Sequence, residues 1–398
     1  MSGQAAGVPP LHVFVVDPRT YPVHRDRRFC GVLNPAKVKE RFELYADLFS
    51  IRQGDFVAFY LSQELASDRG YFGVYRVTGP PFFDPETVDG VGEWSNLKVI
   101  GKCQSCGSPY SGKSSGARQP RICTACNAIT PLPILPNRIP IEPVDYHDTV
   151  VDDNRAYIDR TDPGTLWTFL FRKVFGPGRS RSVAKALPEE GVKLLRLIRA
   201  QSPSTATPPS VPYPRPGSPI PFDFANYINA NGAFQFESIL QAWVMRALTN
   251  RENLPGLEQV LGPYDKMEFF GNGVLYGIGG DKVDALILHR ENGVRVKATV
   301  IELKKDGVDR STLEQVNRYA RWMAQLTTEG AIPEIDRIEI QPVAVGNYKA
   351  RNAADAELTE VGTQTMDYQK AGRKVVTVKP PLIFGYTATA KGVSFEPL

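Results

Sequence analysis

A proline-rich stretch just past the middle of the chain limits the folds that the chain can adopt. Residues 201–220 contain seven prolines and four serines and show no apolar periodicity. Proline lacks the backbone N–H and fixes φ, so this stretch can continue neither a helix nor a central strand. We therefore interpret 201–220 as a linker between two parts, an organisation that suits a chain of 398 residues.

The composition indicates an ordinary globular protein. The chain is 42% hydrophobic and 23% charged, which is usual for a globular domain in water. We find no apolar run long enough to span a bilayer, and residues 1–10 lack the pattern of a signal peptide. We therefore expect a cytoplasmic protein that does not associate with membranes.

Positive charge is concentrated in residues 161–200, which we interpret as a basic helical segment. Eight Lys/Arg against two Glu fall between positions 172 and 199, an excess larger than the +4 of the whole chain. Such a cluster can neutralise DNA phosphates, although a solvated helix face has the same composition. The candidates for backbone contacts are Arg172, Lys173, Arg179, Arg181 and Lys185.

Periodicity predicts different element orders on the two sides of the linker. Before it, short β-branched and aromatic runs predict strands at 12–16, 55–61 and 71–78, with a helix over 35–49. After it, the predicted order is a helix, three strands, a helix and a strand, which gives helices packed on a mixed sheet. These elements cover 233–249, 266–270, 283–289, 295–303, 311–326 and 338–345.

Two CxxC pairs predict a structural zinc site. The pairs Cys103/Cys106 and Cys123/Cys126 are separated by sixteen residues. Four thiolates complete a tetrahedral Zn²⁺ shell without an open position for water. We therefore predict a structural Zn²⁺ that stabilises the fold, while a redox or iron–sulfur role remains the alternative.

Two carboxylates and a lysine in neighbouring strands predict a site for a divalent cation. Glu302 and Lys304 share a strand face because the side-chain period is two. A plain two-residue loop at 292–293 would put Asp284 on the opposite face from Glu302, whereas a β-bulge or an odd-numbered loop would put both on one face. We predict the bulge or odd-numbered loop, with Mg²⁺ or Mn²⁺ bound by both carboxylates.

This constellation resembles the PD-(D/E)XK nuclease superfamily, in particular its RecB-type and NucS-like members, over about residues 222–345. The pattern is Asp284, seventeen residues, then Glu302-x-Lys304, although Lys282-Val283 stands where the family has its proline. The resemblance implies a metal-dependent phosphodiesterase with Glu237 as a further Mg²⁺ ligand. It also implies catalytic roles for two residues one helical turn apart, Gln315 and Tyr319.

The N-terminal part resembles PUA-like barrels of the EVE, YTH and ASCH kind, with a zinc ribbon inserted at 95–130. The likeness covers about 10–160 and is carried by residues 29–32, 54–60, 73–77 and 81–84. It implies a module that reads nucleic acid, where aromatic rings stack on a base. The candidates are Trp94, Tyr60, Tyr71 and Phe83, with a place in the barrel core as the alternative.

Together these features predict an α+β multidomain protein with an N-terminal PUA-like β-barrel and a restriction-endonuclease-like α/β domain over 221–398. The expected activity is that of a Mg²⁺-dependent DNA endonuclease, with restriction of foreign or modified DNA as the expected role. A NucS-like repair nuclease and a non-catalytic nucleic-acid-binding adaptor are the alternatives, and RNA remains open as a partner. One site per chain makes a homodimer the expectation for double-strand cleavage, and we expect residues 221–398 alone to cut weakly.

Overall fold

The structure is a computed structural model of the 398-residue chain. It describes residues 9–16, 21–35, 37–61, 70–84, 106, 108, 125–127, 135–147, 149–152, 182–206, 217–276, 281–329, 337–347, 365–370 and 373–398. None of the helices in these ranges is long and apolar enough to cross a lipid bilayer.

The N-terminal half is built on one mixed sheet. Its described strands are β1 Leu11–Val16, β2 Phe29–Val32, β3 Phe56–Leu61, β4 Gly70–Val77, β5 Phe82–Phe83, β6 Asn137–Asp145, β7 Val151–Asp152, β8 Val183–Lys185 and β9 Ser218–Pro219. Its helices are α1 Tyr21–Arg27, α2 Val38–Phe49 and α3 Pro188–Gln201. The strands and helix predicted at 12–16, 35–49, 55–61 and 71–78 are therefore confirmed to within three residues.

The described part of this sheet is open. The strands follow the order β8-β1-β3-β4-β6-β5-β9, with β2 paired to β6 and β7 paired to β4. Strand β1 runs parallel to β3, and the other pairings are antiparallel. The predicted closed barrel is therefore wrong for the residues described, because β8 and β9 lie at opposite edges and do not pair.

The C-terminal half has the predicted order of elements. Helix α4 Glu237–Asn250 precedes three long strands, and helix α6 Arg310–Glu329 follows them. The strands are β10 Met267–Tyr276, β11 Asp281–Glu291, β12 Val294–Leu303, β13 Ile338–Asn347, β14 Met366–Lys370, β15 Arg373–Val378, β16 Leu382–Thr389 and β17 Gly392–Pro397. A short helix, α5, covers Glu258–Leu261.

The second sheet places the central strands of this half side by side. Its order is β10-β11-β12-β13-β15-β14, and β16 pairs with both β13 and β17. Strands β10, β11 and β12 form an antiparallel meander. Strand β13 then lies parallel to β12, as the intervening helix α6 allows. The end of β12, which carries Glu302, thus lies between two paired neighbours.

The two halves share one hydrophobic core. Phe42 of α2 packs edge-on against Phe222 and Tyr227, which follow the linker, and buried residues of both halves belong to one continuous cluster. The described ends of the predicted linker also pair with the N-terminal half, Ser204 with His147 in an isolated β-bridge and β9 with strand β5. Residues 221–398 alone would expose this apolar contact, which argues against our expectation of an independent fragment.

Candidate active site

The hairpin of β11 and β12 places the two predicted carboxylates opposite each other. Its loop is the two-residue turn at Asn292 and Gly293, both with positive φ. A β-bulge shifts the register between His289 and Arg290, and from there Ala285 pairs with Ile301. One residue further along, Asp284 lies opposite Glu302. The predicted bulge is therefore confirmed, and the two side chains share a face.

Hydrogen bonds fix the carboxylate of Asp284 from two sides. The Nε2 of Gln241, on α4, donates to its Oδ1 at 2.8 Å. The backbone N–H of Leu303 donates to its Oδ2, also at 2.8 Å. Since both groups are buried, the orientation of this carboxylate is set by one helix and one strand before any ligand binds.

The carboxylate of Glu302 is satisfied on one oxygen only. The ammonium group of Lys304, two residues along β12, donates to its Oε1. Its Oε2 is buried and has no hydrogen-bond partner, while the residue as a whole is 1% exposed. An unsatisfied buried carboxylate oxygen is unfavourable unless a cation or a water molecule approaches it.

Two buried carboxylates and the half-buried carboxylate of Glu237 lie around Lys304, and the pKa of each is raised. Burial and the charge of Asp284 raise the pKa of Glu237, the first residue of α4, to about 7. Burial raises the pKa of Glu302 to about 7, against the lowering effect of Lys304. Burial and Glu302 raise the pKa of Asp284 well above its usual range. The single lysine does not balance this negative charge, so the cluster favours an added cation.

The donor set fits a magnesium ion that retains water ligands. Among the residues described, no three His, Cys, Asp or Glu side chains already surround one point. Magnesium, however, is commonly held by one or two carboxylates together with waters and phosphate oxygens. Asp284 and the open Oε2 of Glu302 supply that number. Glu237 contributes charge nearby, and its role as a direct ligand stays a prediction.

The two residues of α6 that were predicted to be catalytic, Gln315 and Tyr319, differ in their exposure. The ring of Tyr319 is fully buried in the core under α6 and cannot contact a DNA backbone directly. Half-buried Gln315 donates from its Nε2 to the Tyr319 hydroxyl at 2.5 Å. Direct contact of Tyr319 with DNA is therefore excluded in this structure, and its observed role is to hold Gln315.

Two of the four cysteines predicted to bind zinc lie outside the described residues. Cys106 and Cys126 are exposed, whereas Cys103 and Cys123 lie outside the described ranges. The structural Zn²⁺ therefore stays a prediction.

The predicted base-binding aromatics belong mainly to the core. Tyr60 and Tyr71 are buried, and their ring centroids lie 5.0 Å apart on the paired strands β3 and β4. Neither ring can stack on a base in this structure, so these two predictions are wrong. Phe83 is half-buried and packs against the shared core, and Trp94 lies outside the described residues.

One of the predicted DNA-backbone residues is buried. Lys185 donates to the backbone oxygen of Ser50 at 2.8 Å, and its ammonium lies 4.6 Å from the ring centroid of Phe270. Because it is 6% exposed, the prediction that it contacts phosphate is wrong. Arg172, Lys173, Arg179 and Arg181 lie outside the described residues.

The structure adds Gln241 to the candidate site, a residue that the sequence analysis missed. Gln241 lies four residues after Glu237 and therefore on the same face of α4. The spacing of four residues from Glu237 could have indicated Gln241. Its neutral side chain, however, is common on any helix and gave no further reason to select it.

Comparisons with known proteins do not assign this chain to a family. No family model matches it, and no curated protein matches it. A hypothetical protein from Leishmania major is similar, with a TM-score of 0.29 and 15% identity over 49% of this chain and 98% of its own. A protein from Pseudomonas syringae is similar with a TM-score of 0.28 and 14% identity, over 47% of this chain and 99% of its own. Human THYN1, solved in complex with 5-methylcytosine-containing DNA, is similar with a TM-score of 0.27 and 12% identity, over 48% of this chain and 98% of its own.

Proposed function

We propose that this chain is a metal-dependent DNA endonuclease whose cleavage site is formed by Asp284, Glu302 and Lys304. The observation that carries the proposal is the juxtaposition of Asp284 and Glu302 across a bulged hairpin, with one buried carboxylate oxygen left without a donor. The helix, three strands, helix and strand order around it supports the resemblance to PD-(D/E)XK nucleases.

Each residue of the site has a distinct task in this proposal. Asp284 and Glu302 would hold Mg²⁺ or Mn²⁺, and Gln241 and the Leu303 N–H keep the plane of the Asp284 carboxylate fixed. When bound, the ion polarises the scissile phosphate and lowers the pKa of a water molecule. Lys304, which also neutralises Glu302, would stabilise the charge that develops on the phosphate.

The N-terminal half would choose the substrate. Its helix α2 packs on α4, the helix that carries Glu237 and Gln241, so the two halves are in direct contact beside the site. We retain a structural Zn²⁺ bound by Cys103, Cys106, Cys123 and Cys126 as part of the proposal. Restriction of foreign or modified DNA is the proposed role, and a repair nuclease acting on mismatched or branched DNA is the alternative.

A cleavage panel tests the activity. Purified wild-type chain would be incubated with Mg²⁺ or Mn²⁺ and with duplex, single-stranded, forked and base-modified DNA, beside Glu302→Ala and Glu339→Ala proteins. Glu339 lies on the neighbouring strand β13 and pairs with Lys379 at 3.3 Å, away from the carboxylate cluster. We expect cleavage by wild type and Glu339→Ala, and a rate lower by a factor of at least about 100 for Glu302→Ala.

Two results would redirect the proposal. Absence of cleavage by the wild type on every substrate, with DNA binding retained, would favour the non-catalytic adaptor. Equal cutting of unmodified and of methylated or hydroxymethylated duplex in competition would argue against restriction of modified DNA, while preserving the endonuclease itself.

A further inference from the structure

Lys39 lies on the N-terminal half but beside the first turn of α4. The hydroxyl of Ser238 donates to the backbone oxygen of Lys39 at 3.1 Å. Ser238 follows Glu237 directly in the chain, so this bond ties the beginning of α2 to the carboxylate cluster. Contacts of α2 with α4 inside the shared core keep this arrangement in place.

The ammonium group of Lys39 is available to a ligand. Its side chain is 64% exposed, and it pairs with Glu43, one turn further along α2, at 4.0 Å. A pair that long and that exposed contributes little and is easily exchanged for another anion.

A DNA strand needs positive charge at this place. The carboxylate cluster repels phosphates, and within it the charge of Lys304 is taken up by Glu302. A strand that reaches the cluster continues past it, and in duplex DNA each strand carries one phosphate per about 3.4 Å of helix axis. Phosphates flanking the scissile one would therefore be bound by cations at the rim rather than by Lys304.

We propose that Lys39 binds a backbone phosphate of the DNA strand that the carboxylates cleave, so that the substrate bridges the two halves of the protein. The inference deepens the proposed function and rests on it for the presence of DNA at the cluster. Binding of this kind positions the strand without reading its sequence. Lys39 is then the contribution of the N-terminal half to holding the strand at the site.

The test compares full-length Lys39→Ala with Lys37→Ala. Lys37 directly precedes the same helix, but its ammonium pairs with Glu40 at 2.9 Å and makes no capping bond. Affinity for a short DNA duplex would be measured by fluorescence anisotropy with Ca²⁺ in place of Mg²⁺, over a range of salt concentrations. One lost phosphate contact lowers the salt slope by about 0.9 and raises Kd about eightfold at ~0.1 M salt.

We expect the lower salt slope and the higher Kd for Lys39→Ala. Lys39→Arg, which keeps the positive charge, and Lys37→Ala should both bind as the wild type does. The Ser238 bond uses a backbone oxygen, so Lys39→Ala keeps it and the thermal unfolding midpoint should not move. Equal salt slopes for Lys39→Ala and wild type would overturn the inference even if the wild type cleaves DNA. A reduced slope together with absence of cleavage in Mg²⁺ would leave the phosphate contact of Lys39 standing and overturn the proposed nuclease function.

Discussion

The two halves of the molecule each bury a cluster of ionisable side chains, and the clusters are built in opposite ways. In the N-terminal half, the Nε2 of His12 lies 2.8 Å from Asp55, and Lys185 is near enough to act on both of them. This cluster therefore combines groups of opposite charge and joins them by a hydrogen bond. In the C-terminal half, Glu237, Asp284 and Glu302 bring like charges together around one lysine.

The pKa values of the carboxyl groups in the two clusters shift in opposite directions. Burial raises the pKa of Asp55, but the His12 bond and Lys185 lower it more, so the net shift is downward. The pKa values of Glu237 and Glu302 both rise to about 7. The first pattern is that of a cluster complete within the protein, and the second is that of a cluster completed by a ligand.

The largest effect is expected from breaking the complete cluster. Asp55→Ala removes the acceptor of His12 and leaves Lys185 buried without its opposite charge. Removing one partner from a buried pair costs about 3 kcal/mol or more. We expect a loss of that size in the free energy of unfolding, measured by urea denaturation at neutral pH.

Asp145→Ala is the control for Asp55→Ala. Asp145 is the last residue of strand β6 in the same sheet and pairs with Arg199 at 2.7 Å, but both side chains are more than a third exposed. Exposed pairs contribute at most about 1 kcal/mol. A similar loss of unfolding free energy in Asp55→Ala and Asp145→Ala would mean that burial does not make the first ion pair more stabilising than the second.

The incomplete cluster should respond to metal instead. Mg²⁺ at 100 times its Kd would stabilise the wild type by about 2.7 kcal/mol. Glu302→Gln should lose this stabilisation, yet the metal-free variant should be at least as stable as metal-free wild type, because one buried like charge is gone. Thermal unfolding with Mg²⁺ and with EDTA measures both quantities, and Glu339→Gln serves as the control. A destabilised metal-free Glu302→Gln protein would show that this cluster, too, is complete on its own.

A smaller effect is expected from the residue that orients Asp284. Gln241→Ala removes the 2.8 Å donor to Oδ1 and leaves the Leu303 N–H bond intact. Loss of a group that orients a metal ligand weakens metal binding by about tenfold. The Mg²⁺ concentration that gives half of the thermal stabilisation should rise by that factor. Gln325→Ala, an exposed glutamine on α6, should not change it.

The candidate site could be predicted from the sequence where local rules decide the outcome. Alternation along a strand places Glu302 and Lys304 on the same face. Asp284 can lie on that face only if the hairpin contains a bulge or an odd-numbered loop, and the register confirms the bulge. The helices and strands of the C-terminal half follow in the same way from their apolar periods. Gln241 also obeys a local rule, the spacing of four from Glu237, and was missed only because its side chain carries no charge.

The errors concern residues whose surroundings come from distant parts of the chain. Lys185 belongs to a run of positive charge, which predicts exposure, but Phe269 and Phe270 of the C-terminal half cover its ammonium group. Tyr60 and Tyr71 have the amphipathic character of base-binding rings, and pairing of β3 with β4 turns them against each other. Local sequence contains neither contact, since packing between separate elements determines burial.

The most gradual effect we expect is a change in how stability depends on pH. Burial lowers the pKa of Lys185 to about 7, well below the value of 10.5 that applies in the unfolded chain. Between these values the unfolded chain binds more protons, so the free energy of unfolding gains a term that increases with pH. Lys185→Met removes that term and should flatten the rise between pH 7 and 8.5, measured by urea denaturation. Above this window the buried thiol of Cys30, with its raised pKa, acts in the opposite direction. Identical slopes for variant and wild type would show that Lys185 stays protonated in the folded protein, held by Asp55 more strongly than burial opposes it.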